Sequence, residues 1–272
     1  DIVVWMGADL TPWLAGALDT LAPEAAAVTL LDASETEKLA FREGVAFEAH
    51  AHAKAHDEHD ADADHDAHED HDGHDDHDET HDHAHDDHAA HDDAHDDHGH
   101  DHGAHDPHAW LSPANASAWL NLIAAELSAA DPENAATYFT NAAAGRDELE
   151  TLTQEVDAIL DPVRGGRFVV FHDAYQYFET DFDFPASGAI SIADAQDPSP
   201  ARIAEIRERI RDVGVTCVLA EPQFNPGIVT AVLDGTEAAT GVIDPLGIDL
   251  APGPALYPQL IRNMANTLAD CL

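Results

Sequence analysis

Histidine is the side chain on which any chemistry of this sequence turns. Twenty of its 21 histidines fall between His50 and His108, interspersed with 22 aspartates and glutamates and a single lysine, Lys54. Neutral imidazole ligates borderline cations, and carboxylates draw cations towards it, so the pairing has the chemistry of a metal-collecting segment. In "HDGHDDHDETHDHAHDDH" and the residues before it, His65, His68, His71, His74, His77, His81, His83, His85 and His88 recur every two to four positions. They are expected to form several weak, quickly exchanging metal sites.

Three other residues stand at places where a folded protein builds a site. His172 closes the apolar run "RFVVFH". Asp244 closes "TGVID", where Pro245 and Gly247 then turn the chain. His108 lies in "DPHAWLSP", where the composition returns to that of a folded protein. Two imidazoles and a carboxylate make a partial shell for Zn²⁺. Each also has a plainer reading: a hydrogen-bonded structural histidine, an aspartate serving its own turn, and the last member of the repetitive tract. Glu221 in "AEPQF" also ends an apolar run. It reads first as a structural carboxylate or as a group that orients a ligating imidazole, and only then as a ligand.

The elements that must carry these residues alternate. "IVVWMG" and "AAVTLL" have the continuous apolar character of strands covered on both faces, with "LTPWLAGALDTL" as a helix between them. Residues 44–106 show no core pattern and cannot bury enough surface to fold alone. A helix begins at Pro113 with Ser112 as its cap, and a second, very long one runs from about Pro132 to Leu160. Beyond it come "RFVVF", a helix over about Asp173–Thr180, "GAISI", the amphipathic "PARIAEIRERIRDVG", "CVLA", a helix from near Pro226, "TGVID" and a terminal helix from about Pro258. Strands alternating with helices predict an α/β fold in two lobes, each a mostly parallel sheet flanked by helices. The expected division is residues 1–131, a linking helix over 132–162, and residues 163–272. Ligands of such sheets bind beyond the carboxyl ends of the strands, where His172 and Asp244 fall.

The formal net charge of −44 repels nucleic acid and anionic membrane surfaces and attracts cations. The charge does not come from the histidine-rich tract alone, since the remaining residues hold 33 acidic side chains against 10 basic ones. No run reaches the roughly 18 apolar residues of a membrane helix. The two cysteines, Cys217 and Cys271, are either separate buried thiols or one disulfide of an oxidising compartment, which closes a loop worth about 4 kcal/mol. The sequence opens on "DIVVWMG", with an apolar strand already under way, and reads as a fragment cut inside a domain.

"DPHAWLSP", "FVVFHDAYQYF", "TCVLAEPQF", "GVIDPLG" and "NTLADCL" resemble, in this order, segments of the zinc-binding periplasmic components of ABC zinc uptake systems, the ZnuA type. The resemblance spans essentially the whole chain and includes a His/Asp-rich loop before "HAWLSP". It implies a monomeric, bilobal carrier that holds Zn²⁺ in a cleft and delivers it to a membrane permease. His108 and His172 are ligands by this resemblance, Asp244 matches a carboxylate position used for metal in the wider group, and Cys217 pairs with Cys271. It also implies a further ligand histidine in a segment ahead of the strand on which the sequence opens. The alternative is that the acidic tract donates a substitute. A manganese or iron carrier is the competing reading within the same class. A zinc hydrolase with Glu221 as general base is the competitor outside it, although the sequence has no HExxH signature.

Overall fold

A computed structural model describes residues 1–42, 105–191 and 198–272. All of them belong to one compact unit, Asp1–Ala49 together with His102–Leu272. The nine auxiliary histidines from His65 to His88 lie outside the described residues.

The first strand, β1 (Ile2–Trp5), leads through α1 (Pro12–Leu21) to β2 (Ala26–Thr29). The two strands pair in parallel with Ile2 opposite Ala26 and Trp5 opposite Thr29. After the tract, α2 (Pro113–Ala130) starts as its sequence predicts: Pro113 fills the first helical turn and Ser112 Oγ accepts the Asn115 N–H at 2.9 Å. The long helix α3 (Ala135–Leu160) is shorter at its start than periodicity suggested, because Pro132–Asn134 form a separate 3₁₀ turn. Its 26 residues still extend about 39 Å at 1.5 Å per residue.

The remaining chain alternates as read: β3 (Phe168–His172), α4 (Gln176–Asp181), β4 (Ala189–Ser191), α5 (Pro200–Val213), β5 (Cys217–Ala220), α6 (Pro226–Leu233), β6 (Ala239–Val242) and α7 (Leu256–Cys271). The four strands form one parallel sheet in the order β4-β3-β5-β6. Successive residues of β3 serve opposite cores. Phe168 and Val170 pack with Leu152, Val156 and Leu160 of α3 and with Ile261, Met264 and Leu268 of α7. Val169 and Phe171 pack with Ile206 and Ile210 of α5 and with Val218 and Val232. A strand buried on both faces has no alternation to show, which is why "RFVVF" reads as a plain apolar run.

Cys217 of β5 and Cys271 of α7 are joined in a disulfide, with Cα atoms 5.7 Å apart. Gly241 lets α7 come this close to β6: a Cβ there would stand 3.2 Å from Leu219 and Thr267 and 3.5 Å from Cys271. Among the described residues no helix is long and apolar enough to cross a membrane.

The strand order fixes where a site can form. From β3 the chain goes to β4 on one side, then crosses back to place β5 on the other. The connections thus leave β3 and β5 in opposite directions at their carboxyl ends, and the crevice opens there. His172 is the last residue of β3, and Glu221 follows the last residue of β5.

Candidate metal centre

At that crevice the structure brings His108 and His172 together, their ring centres 5.3 Å apart and the rings edge to face. His108 is 4% exposed and His172 6%. They line one wall of a cavity of about 210 Å³, with Trp110, Phe224, Pro245 and Leu246 around it and Leu10 from the N-terminal part of the chain. His108 directly precedes a 3₁₀ turn, Ala109–Leu111, whose Ala109 and Leu111 are fully buried. Trp110 is held by its indole N–H, which donates to the Pro245 carbonyl at 3.0 Å.

Both imidazoles are oriented in the same way. His172 Nδ1 lies 2.6 Å from Glu221 Oε1, which also accepts the His172 backbone N–H at 3.3 Å. His108 Nδ1 lies 2.6 Å from Asp106 Oδ1, which also accepts the His108 backbone N–H at 2.9 Å. A carboxylate acceptor fixes the hydrogen on Nδ1 and leaves the lone pair on Nε2, and it raises the basicity of that nitrogen. Two imidazoles whose ring centres lie 5.3 Å apart are close enough to share one cation at the usual zinc–nitrogen distance of about 2.0–2.1 Å. The donor set suits Zn²⁺ better than a harder ion, which favours carboxylates.

Asp106 escaped the sequence reading, which counted it with the tract. It is 1% exposed. Its N–H donates to the Leu39 carbonyl at 2.8 Å, and its carbonyl accepts from the Tyr177 hydroxyl at 2.7 Å. The same hydroxyl accepts the Leu39 N–H at 3.0 Å. Tyr177 therefore ties the chain entering the tract to the chain leaving it, at the carboxylate that orients His108. Arg42 anchors the entering chain as well, through Asp173 and Glu179.

Asp244 lies at the strand end where it was expected, but its side chain is turned into its own loop. Oδ1 accepts from Gln223 Nε2 at 2.9 Å and from the Leu246 N–H at 3.0 Å, and Oδ2 accepts from the Ile248 N–H at 2.6 Å. Burial works to raise its pKa; the Leu246, Gln223, Ile248 and Gly247 hydrogen bonds outweigh burial and hold the carboxyl below the usual range. It lines the neighbouring cavity with Val242 and Asp249, while Pro245 and Leu246, which it positions, reach the histidines. Among the described residues no three His, Cys, Asp or Glu side chains are placed to hold one ion.

Parallel sheets, with two buried imidazoles brought together at the carboxyl end of β3, define the class: a two-lobed solute-binding protein. The laminin-binding adhesin Lmb of Streptococcus agalactiae shares this fold, with a TM-score of 0.68 over 100% of this chain and 81% of that one, at 22% identity. A crystal structure of ZnuA matches 62% of this chain and 60% of its own, with a TM-score of 0.54 and 30% identity. The model of the family "Zinc-uptake complex component A periplasmic" matches residues 1–271, and the chain belongs to that family. The high-affinity zinc uptake system protein ZnuA of Brucella abortus (strain 2308) is 49% identical over 271 residues, which is 100% of this chain and 76% of the relative. This chain is accordingly the metal-binding component of a zinc-uptake complex.

Proposed function

We propose that the chain captures Zn²⁺ through Nε2 of His108 and of His172 and delivers it in the periplasm to the membrane permease of an ABC uptake system. The carrying observation is the repeated dyad: each histidine has its own buried carboxylate on Nδ1, and the two rings face one another 5.3 Å apart. Residues 1–131 and 163–272 form the two lobes and α3 the link between them. Asp244 supplies a third donor when its Gln223 hydrogen bond is exchanged for metal. The protein works as a monomer and is a carrier rather than a catalyst. Glu221, the one candidate for a hydrolase's general base, is 4% exposed and its Oε1 is committed to His172, which supports a role in orienting that imidazole.

The histidines of the tract collect zinc for this site. Leu39 and Asp106 are joined by a hydrogen bond, so residues 45–102 can be replaced by a short Gly–Ser linker without pulling the folded body apart. Calorimetric titration of the replaced variant is expected to give one tight zinc and to lose the additional weak equivalents that the full chain binds. Equal stoichiometry in the two proteins would remove the collecting role. Failure of the replaced variant to bind its one zinc tightly would remove the cleft as the primary site. Competition with Mn²⁺ at the replaced variant's site is expected to leave zinc bound.

A further inference from the structure

Beside the His172 dyad, two buried polar atoms have no hydrogen-bond partner: Glu221 Oε2 and the Tyr175 hydroxyl. Tyr175 is 2% exposed, and its ring meets that of His172 edge-on at 6.1 Å. Burial first, then the charge of Glu221 and an incipient hydrogen bond to it, hold the Tyr175 phenol well above its ordinary pKa, with Asp244 adding to the effect. The hydroxyl is thus within reach of the Glu221 carboxylate, but the bond between them is not closed at normal hydrogen-bond geometry.

An unpartnered buried donor and an unpartnered buried acceptor are each costly, and here they are neighbours. Packing does not require the oxygen, because phenylalanine would fill the same ring volume. The other Glu221 oxygen is committed twice, to the His172 N–H and to Nδ1. A phenol is a donor and a carboxylate an acceptor at neutral pH, and site hydrogen bonds that are loose without ligand tighten when it arrives.

We propose that Tyr175 is a positioning residue of the metal site: its hydroxyl donates to Glu221 Oε2 when a cation occupies His172 Nε2, completing a Tyr175–Glu221–His172 chain. A cation on Nε2 polarises the ring and strengthens the Nδ1–H bond to Glu221, and each bond in such a chain reinforces the next. The proposal rests on His172 being a ligand, and the experiment keeps the two apart.

Zinc dissociation constants of the full chain are measured by chelator competition at up to one equivalent of zinc, so that the tightest site is read, for Tyr175→Phe, Glu221→Gln, the double variant and His172→Ala. Tyr175→Phe is expected to bind zinc about tenfold more weakly. The metal-free protein should keep its thermal midpoint or gain, because a buried orphan hydroxyl has been removed. On the Glu221→Gln background the same change should cost nothing further, as befits a residue acting through Glu221. Wild-type affinity in Tyr175→Phe overturns the proposal, and so does a tenfold loss that persists on the Glu221→Gln background. So does a lowered midpoint of the metal-free protein with affinity unchanged, which marks a purely structural tyrosine. Undiminished affinity in His172→Ala removes the ligand assignment itself, and the proposal with it. Loss in His172→Ala with none in Tyr175→Phe removes the proposal alone.

Discussion

Substituting His172 or His108 by alanine is expected to weaken the tight zinc site by a factor of about a hundred or more. Zinc held by four protein ligands is bound with about 10–16 kcal/mol, so one imidazole carries about 3 kcal/mol, and each 1.4 kcal/mol is tenfold. Substituting an orienting carboxylate should cost less. Asp106→Asn leaves His108 in place but weakens the acceptor on Nδ1, for an expected loss of about 10–100-fold. Asp244 requires two variants, because its carboxylate also holds the turn that carries Pro245 and Leu246. Asp244→Asn keeps an acceptor for one of the Leu246 and Ile248 N–H groups, which bond to different oxygens, whereas Asp244→Ala loses both acceptors and the donor together. A ligand role predicts that both variants lose zinc to a similar degree; a turn role alone predicts a much smaller loss in the asparagine variant. Chelator competition gives the ranking, and wild-type affinity in both histidine variants would dismiss the site.

The positions of the two histidines of the proposed site were legible because each sits where the sequence changes character: His172 at the end of an apolar run, His108 just before a capped helix. Their orienting carboxylates were legible only in part. Glu221 could be suspected because it ends a strand, and parallel strands β3 and β5 bring their ends side by side. Asp106 gave no such signal, because it stands in the same His-Asp repeat as the residues before it. What distinguishes it is its backbone pairing with Leu39 and with Tyr177, partners 67 and 71 residues away in sequence, and no local pattern encodes that. Asp244 shows the opposite limit. Its position at a strand end was readable, but the direction of its carboxylate was decided by three competing donors of its own loop and of Gln223.

The least legible feature has the largest consequence for stability. Arg42 stands in sequence as one more arginine at the edge of an acidic tract, yet its guanidinium is 10% exposed and lies between two carboxylates that are each 5% exposed. Nε donates to both Asp173 oxygens at 3.0 and 3.1 Å, Nη1 donates to Glu179 Oε2 at 2.6 Å, and Nη2 bonds to Asp173 and to Glu179 Oε1. Glu179 Oε2 takes the Ala186 N–H as well, at 3.0 Å. Burial keeps the Asp173 carboxyl above its usual pKa in spite of Arg42, with the Glu179 and Asp106 charges adding to it. Arg42→Ala strands two desolvated carboxylates and is expected to cost about 3–5 kcal/mol, a shift of more than about 1 M in the urea midpoint of the metal-free protein at an m value near 3 kcal/mol/M. If the cost arises from stranded charge rather than lost packing, Arg42→Met combined with Asp173→Asn and Glu179→Gln should recover most of it, since an ion cluster replaced as a whole is often close to neutral. A loss in Arg42→Ala below about 1 kcal/mol, the range of exposed ion pairs, would mean that water reaches the cluster. Because Asp173 directly follows His172 and Arg42 precedes the histidine-rich tract in sequence, the cluster fastens the chain ahead of the tract to the end of the strand that carries His172. The same variant should therefore leave zinc bound at the cleft less tightly, and a midpoint shift without any change in affinity would separate the clamp from the site.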